Sequence, residues 1–234
     1  MDVLHDGILY MCSDTLALVH HCVDSRSFMT IPDVIDGCTV VGIYEEAFKD
    51  YHTIKRINLP STIQKIGKSA FENCSKLSEV CFYQGYAATI GFQPTETLKI
   101  SESAFKNCPL LEGIITIEKT LTIGKEAFRG CENMYQLSPI KTAGPFCFKD
   151  CKDLNDLFFV DNFDFNEINL FWTSSHKRYH LAEHAVLDNY AIDFIKRKNV
   201  QILCPKSSNI ADLAYEGINV KVTNKQYIPN YTLR

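Results

Sequence analysis

Residues 66–80 read IGKSAFENCSKLSEV, and their first nine positions recur as IYEEAFKDY (43–51), ISESAFKNC (100–108), IGKEAFRGC (123–131) and, more distantly, AGPFCFKDC (143–151). Phe48, Phe71, Phe105, Phe128 and Phe148 mark the copies at spacings of 23, 34, 23 and 20 residues. The unit is therefore about 23 residues long, with an 11-residue insertion in one copy and a 3-residue deletion in another. The register continues past the Phe. Ile54, Leu77, Leu111, Met134 and Leu154 follow it by six residues, and Ile57, Val80, Ile114, Leu137 and Leu157 by nine.

The pattern L-x-x-I-x-L, as in Ile54-Lys-Arg-Ile57-Asn-Leu59, alternates with period two over its last part and predicts a short strand with one buried face. Ser69-Ala70-Phe71 and its equivalents, one turn long and led by a Gly or polar residue, predict a short helical or 3-10 segment opposite the strand. Each unit then runs strand, turn, short helix, turn. A unit this small cannot bury its apolar face alone, so neighbours must stack into a solenoid with parallel strands and a continuous core.

These residues resemble the BspA-type leucine-rich repeat proteins, whose unit reads roughly I-G-x-x-A-F-x-x-C-x-x-L-x-x-I-x-L-P. Ile66 to Val80 matches that string almost position by position, and the likeness covers about residues 31–160. The resemblance implies an α/β fold: a right-handed β/α superhelix with a parallel concave sheet, short convex helical segments and a cap at each end. Residues 1–42 would form an N-terminal capping hairpin (Gly7 to Val23) and an entry segment (Phe28 to Val41), and 43–160 the repeats. Residues 161–234 would hold a degenerate unit, with Leu170-Phe171 one repeat after Phe148, and a C-terminal cap ending in Ile202 to Val222 (ILCPKSSNIADLAYEGINVKV).

The chain has 234 residues, 46% of them hydrophobic and 22% charged, with a formal net charge of -4. That length supports a real core, and the composition excludes a disordered chain. Without a basic excess it does not read as a generic nucleic-acid or polybasic membrane binder. The N-terminal MDVLHDGILY lacks the basic and long apolar regions of a secretory signal, and no stretch of about 18 apolar residues predicts a membrane helix. The default expectation is a cytoplasmic protein, with a cell-surface or secreted location as the alternative that the resemblance implies.

Ten cysteines stand out. Cys74, Cys108, Cys131 and Cys151 share one repeat position, so a solenoid aligns them in a row about 5 Å apart. Such a ladder does not converge on one point as structural zinc requires, and the expectation is a row of buried thiols, with disulfide or metal as the rival. The other six lack C-x-x-C spacing; among them a solvent-facing Cys81 would be the most reactive. In HKRYHLAEH, His176, His180 and His184 recur every four residues and would lie along one helix face, making them weak metal candidates beside Glu183. No dinucleotide fingerprint, P-loop, nucleophile elbow or kinase set is present. The sequons at Asn73 and Asn230 read as chance occurrences.

In L-x-x-I-x-L the third and fifth positions point outward because the fourth points in. Down the array they are Arg56 and Asn58, Glu79 and Cys81, Gly113 and Ile115, Gln136 and Ser138, Asp156 and Phe158. Ile115 and Phe158 are the kind of exposed apolar residue that anchors a protein partner. The insertion at 83–94 adds Tyr83, Tyr86 and Phe92 as further contact residues. The sequence thus predicts a non-catalytic, adhesin-like scaffold without cofactor, which binds another protein and neither nucleic acid nor the membrane interior. Two other readings stay open: a metal- or thiol-dependent enzyme built on 161–200, and a structural array that self-associates weakly through an open edge.

Overall fold

Stacking copies of one unit places equivalent residues above one another, and the computed structural model, which describes residues 1–85, 95–116, 118–160, 163, 178–187 and 189–223, has this form. Phe48, Phe71, Phe105, Phe128 and Phe148 form a column of near-parallel rings, with successive centroids 4.9, 5.1, 5.5 and 6.0 Å apart. The five rings are fully buried, as are the equivalent Ile54, Leu77, Leu111, Met134 and Leu154.

Each repeat contributes two short strands, and these build two sheets. One sheet holds the expected strands Arg56–Pro60, Glu79–Tyr83, Gly113–Ile114 and Gln136–Leu137, preceded by Phe28–Thr30 of the entry segment, all parallel. A four-stranded parallel sheet beside it runs Asp156–Phe158, Arg178–His180, Gln201–Pro205, Val220–Thr223. The repetitive pattern does not announce the other large sheet. Cys38–Ile43, Lys65–Ile66, Thr97–Ile100, Thr120–Ile123 and Ile140–Ala143 pair in parallel through the residues that lead into each Gly-x-x-Ala-Phe segment. At its start this sheet turns antiparallel through Asp2–His5, Ile8–Ser13 and Leu16–Cys22.

The segments expected as convex helices are turns instead. The cause is the backbone: Glu46, Ser69, Ser103, Glu126 and Phe146 all have φ between 52° and 58°, a left-handed value that ends any helix. Four residues later Asp50, Asn73, Asn107, Gly130 and Asp150 are left-handed again, and these residue types tolerate that region best. The amides then alternate. Ala70, Glu72 and Cys74 donate within the turn, to Gly67, Ser69 and Phe71, while Ser69, Phe71 and Asn73 donate across to Glu102, Ala104 and Lys106 of the next unit. Half of each turn's amides thus bind unit to unit. A Cβ on Gly67 would lie 2.6 Å from the backbone at Tyr44 and Glu45, which is why glycine leads that turn. Among the described residues the helices are the α-helix Asn189–Lys198 and the 3-10 helix Asn209–Glu216, both near the C-terminal end.

The thiol row is also explained by the turn. Cys74, Cys108, Cys131 and Cys151 donate at 3.0–3.1 Å to the carbonyls of Phe48, Phe71, Phe105 and Phe128, each one unit back. Burial pushes the Cys131 thiol up to about 12 and holds Cys108 and Cys151 well above the ordinary range. All ten cysteines are free thiols.

Candidate recognition face

Strand alternation sends Ile57, Val80, Ile114, Leu137, Leu157, Tyr179 and Ile202 into the core, so the residues flanking them face outward except Gly113 and Ser138, which were expected outward and are buried. Register sorts those residues into two rows. One runs Phe28, Arg56, Glu79, Gly113, Gln136 and, in the adjoining sheet, Asp156, Arg178, Gln201. The other carries Thr30, Asn58, Cys81 and Ile115, followed by Phe158, His180 and Leu203. Arg56 and Gln136 are exposed, while Asn58, Glu79, Cys81, Ile115, Asp156 and Phe158 are half-buried.

Charges in the first row neutralise one another. The Arg56 Nε donates to Glu79 Oε2 at 2.7 Å, and the same guanidinium forms an ion pair with that carboxylate. Further along, Asp156 accepts from Arg178 at 2.5 Å and lies 2.8 Å from His180 Nε2, while the His180 ring stacks on Phe158 with centroids 4.1 Å apart. Burial would raise the Asp156 carboxyl, but the His180 and Arg178 hydrogen bonds and the Arg178 charge outweigh it and hold it below the usual carboxylate range. Exposed pairs of this kind contribute about 0–1 kcal/mol each, so their main effect is on the field a partner meets.

Four expectations are corrected. Ser138 does not face outward: its strand is only two residues long, Gln136–Leu137, and the side chain turns inward to accept the Thr116 amide at 2.8 Å. Tyr83 is no free contact residue, since its hydroxyl donates to the Ile31 carbonyl at 2.6 Å and its body is half-buried. Cys81 is a poor nucleophile: partial burial and then the Glu79 charge raise its thiol. Tyr86 and Phe92 lie outside the described residues, as does His176. His180 and His184 share no helix, because Arg178–His180 is a strand and His180 is turned toward Asp156. Among the described residues no group of three His, Cys, Asp or Glu is placed to hold a metal ion.

Sequence reasoning passed over Phe28 and Arg178, and it named Asp156 and His180 without bringing them together. A signal for their grouping exists: Arg178 follows Asp156 by 22 residues, close to the repeat length, and Arg-Tyr-His alternates about a buried Tyr179. No helix among the described residues is long and apolar enough to cross a membrane.

A family model described as the BspA type leucine rich repeat region matches the chain in six copies, across residues 41–178 and 98–221. The crystal structure of a leucine rich repeat protein from T. pallidum superimposes with a TM-score of 0.57 at 18% identity, covering 89% of this chain and 99% of that one. That of a leucine rich cell surface protein from Faecalibacterium prausnitzii gives a TM-score of 0.58 at 21% identity, over 89% of this chain and 49% of the other. This chain therefore spans about half of the second structure. At these identities the likeness establishes the fold. No curated protein matches.

Proposed function

Because the chain belongs to the family of BspA-type leucine-rich repeat proteins, we propose that it is a non-catalytic scaffold that recognises another protein through the outward face of its strand stack, the expected concave side. The observation that carries this reading is the two-row face. Cys81, Ile115 and Phe158 form an apolar strip in one row, and the charges of the other row are already paired within it. An apolar strip beside balanced charge suits a protein surface anchored by a few side chains. It does not suit a phosphate backbone, which requires unpaired basic residues. An adhesin-like role on a cell surface goes with the same reading, and the description of the F. prausnitzii structure as a cell surface protein supports it. In this reading residues 1–42 and 161–234 cap the repeats of 43–160.

The test is a chain with Arg56, Ile115 and Gln136 all replaced by Ala. Circular dichroism and melting should be unchanged, because these side chains point away from the core. Affinity for a partner captured by the parent chain should fall at least tenfold, and undiminished capture would reject this face.

A further inference from the structure

Among the described residues, the N-terminal end of the stack carries an open sheet edge: Asp2–His5 is the outermost strand of the large sheet and pairs only with Ile8–Ser13. Met1 and Cys12 exchange backbone hydrogen bonds, Cys12 N donating to Met1 O at 2.8 Å. By antiparallel alternation Val3 and His5 also bond inward, which leaves the N–H and C=O of Asp2 and Leu4 facing out. Phe28–Thr30 is likewise the outermost strand of the repeat-strand sheet at this end. Leu4 and Phe28 on these strands, and Val23 just past Leu16–Cys22, are each 63–65% exposed.

Charge is concentrated on the same end. Residues 1–48 contain eight Asp or Glu against Arg26 alone, a net of -7, whereas residues 49–234 carry 23 Lys or Arg against 20 acids, a net of +3. Arg26 is itself committed to Asp6 and Asp24 and holds both carboxyls below their ordinary range. Asp2 and Asp14 remain exposed near the start of the edge strand.

From this juxtaposition we infer that the Asp2–His5 edge accepts an extended basic segment of a partner protein as an added β-strand. Main-chain bonds to Asp2 and Leu4 supply the pairing. On the face that carries Asp2 and Leu4, the added strand places a Lys or Arg opposite Asp2 and an apolar residue opposite Leu4, two positions apart. The same acidity opposes pairing with a second copy, because edge-to-edge contact would bring two strongly negative ends together. This site is separate from the proposed recognition face and does not depend on it.

The full chain can be titrated with an eight-residue peptide of repeated Val-Thr-Lys-Thr and with its Val-Thr-Glu-Thr counterpart. Hydrogen exchange of the Asp2 and Leu4 amides would be followed throughout. The lysine peptide should bind, slow exchange at those two amides and weaken as salt rises, with the glutamate peptide at least tenfold weaker. Leu4→Pro, which removes an outward N–H, and Asp2→Lys should each lower affinity at least tenfold with circular dichroism unchanged. The triple Ala variant of the recognition face should bind as the parent does. Equal binding of the glutamate peptide, or full affinity in both Leu4→Pro and Asp2→Lys, would overturn the proposal. A concentration-dependent dimer that hides the Asp2 and Leu4 amides would overturn it in favour of a second copy.

Discussion

The Cys108 thiol donates to the carbonyl oxygen of Phe71 at 3.0 Å, one unit back along the stack. A cysteine at this position is thus both a small apolar filler and a second donor to a buried carbonyl that also accepts the Cys74 amide within its own turn. Cys108→Ala should cost about 0.5–1.5 kcal/mol in urea unfolding, since it removes one buried hydrogen bond while the carbonyl keeps the Cys74 amide. The native protein should also leave the ladder thiols unmodified by a thiol reagent, and rapid reaction of all ten would contradict their burial.

Phe105 sits between Phe71 and Phe128 in the ring column, at 5.1 and 5.5 Å. Phe105→Ala should remove roughly 3–5 kcal/mol of stability. Neighbouring units are coupled through the same column, so hydrogen exchange should accelerate in the turns around Phe71 and Phe128 as well. A loss confined to residues 100–108 would argue that the repeats are energetically independent.

Lys119 is 6% exposed, and its ammonium donates to the Ile63 carbonyl at 2.6 Å. It stands at the repeat position of Thr62, whose hydroxyl donates to the Val40 carbonyl. Burial lowers the Lys119 amine to about 8 from its ordinary 10.5. Between those values the unfolded chain holds a proton that the folded chain has released, so stability should rise with pH from about 8 to 10.5. Lys119→Met should raise the melting temperature at neutral pH and flatten the slope across that window. An unaltered slope in the variant would assign it to other groups.

Asn73 Nδ2 donates to Asp50 Oδ1 at 2.7 Å, and Asn107 Nδ2 to Asn73 Oδ1 at 2.9 Å, forming a short polar ladder that ends where the next unit has Gly130. Gly130 has φ +77°, close to the left-handed value of the two asparagines, and its added Cβ would meet only the movable end of Asn107. Gly130→Asn should nonetheless lower the melting temperature, because a side chain at this positive φ is strained and its Cβ would lie 2.9 Å from Asn107 Oδ1. A raised melting temperature would mean that the extended ladder outweighs that strain.

Much of this was legible in the residues alone. Phe71 and its equivalents, with Leu77 and Val80 at fixed offsets, specified a stacked array, and the alternation about Ile57 and Val80 separated core from surface. Even the left-handed turn positions were marked by Asp, Asn and Gly at 50, 73, 107, 130 and 150. The helical expectation for Ser69-Ala70-Phe71 failed because the Ser69 and Phe71 amides bond to the next unit, and a local pattern cannot register a partner 33 residues away. The second sheet escaped notice for the same reason, since a strand such as Lys65–Ile66 is too short to show a period and exists only through its neighbours.

Repetition in the sequence therefore determined the architecture, because a side chain that recurs every 23 residues or so must stack on its own copies whatever the details of the unit. What the tertiary structure alone decided is where each non-repeating residue ends up. Tyr83 is drawn to Ile31 and Lys119 to Ile63, and His180 closes on Asp156. Each of these contacts joins chain positions 24 to 56 residues apart. The physical reason is that a single polar or charged group is placed by whichever donor or acceptor the fold brings within about 3 Å, a distance that no spacing along the chain encodes.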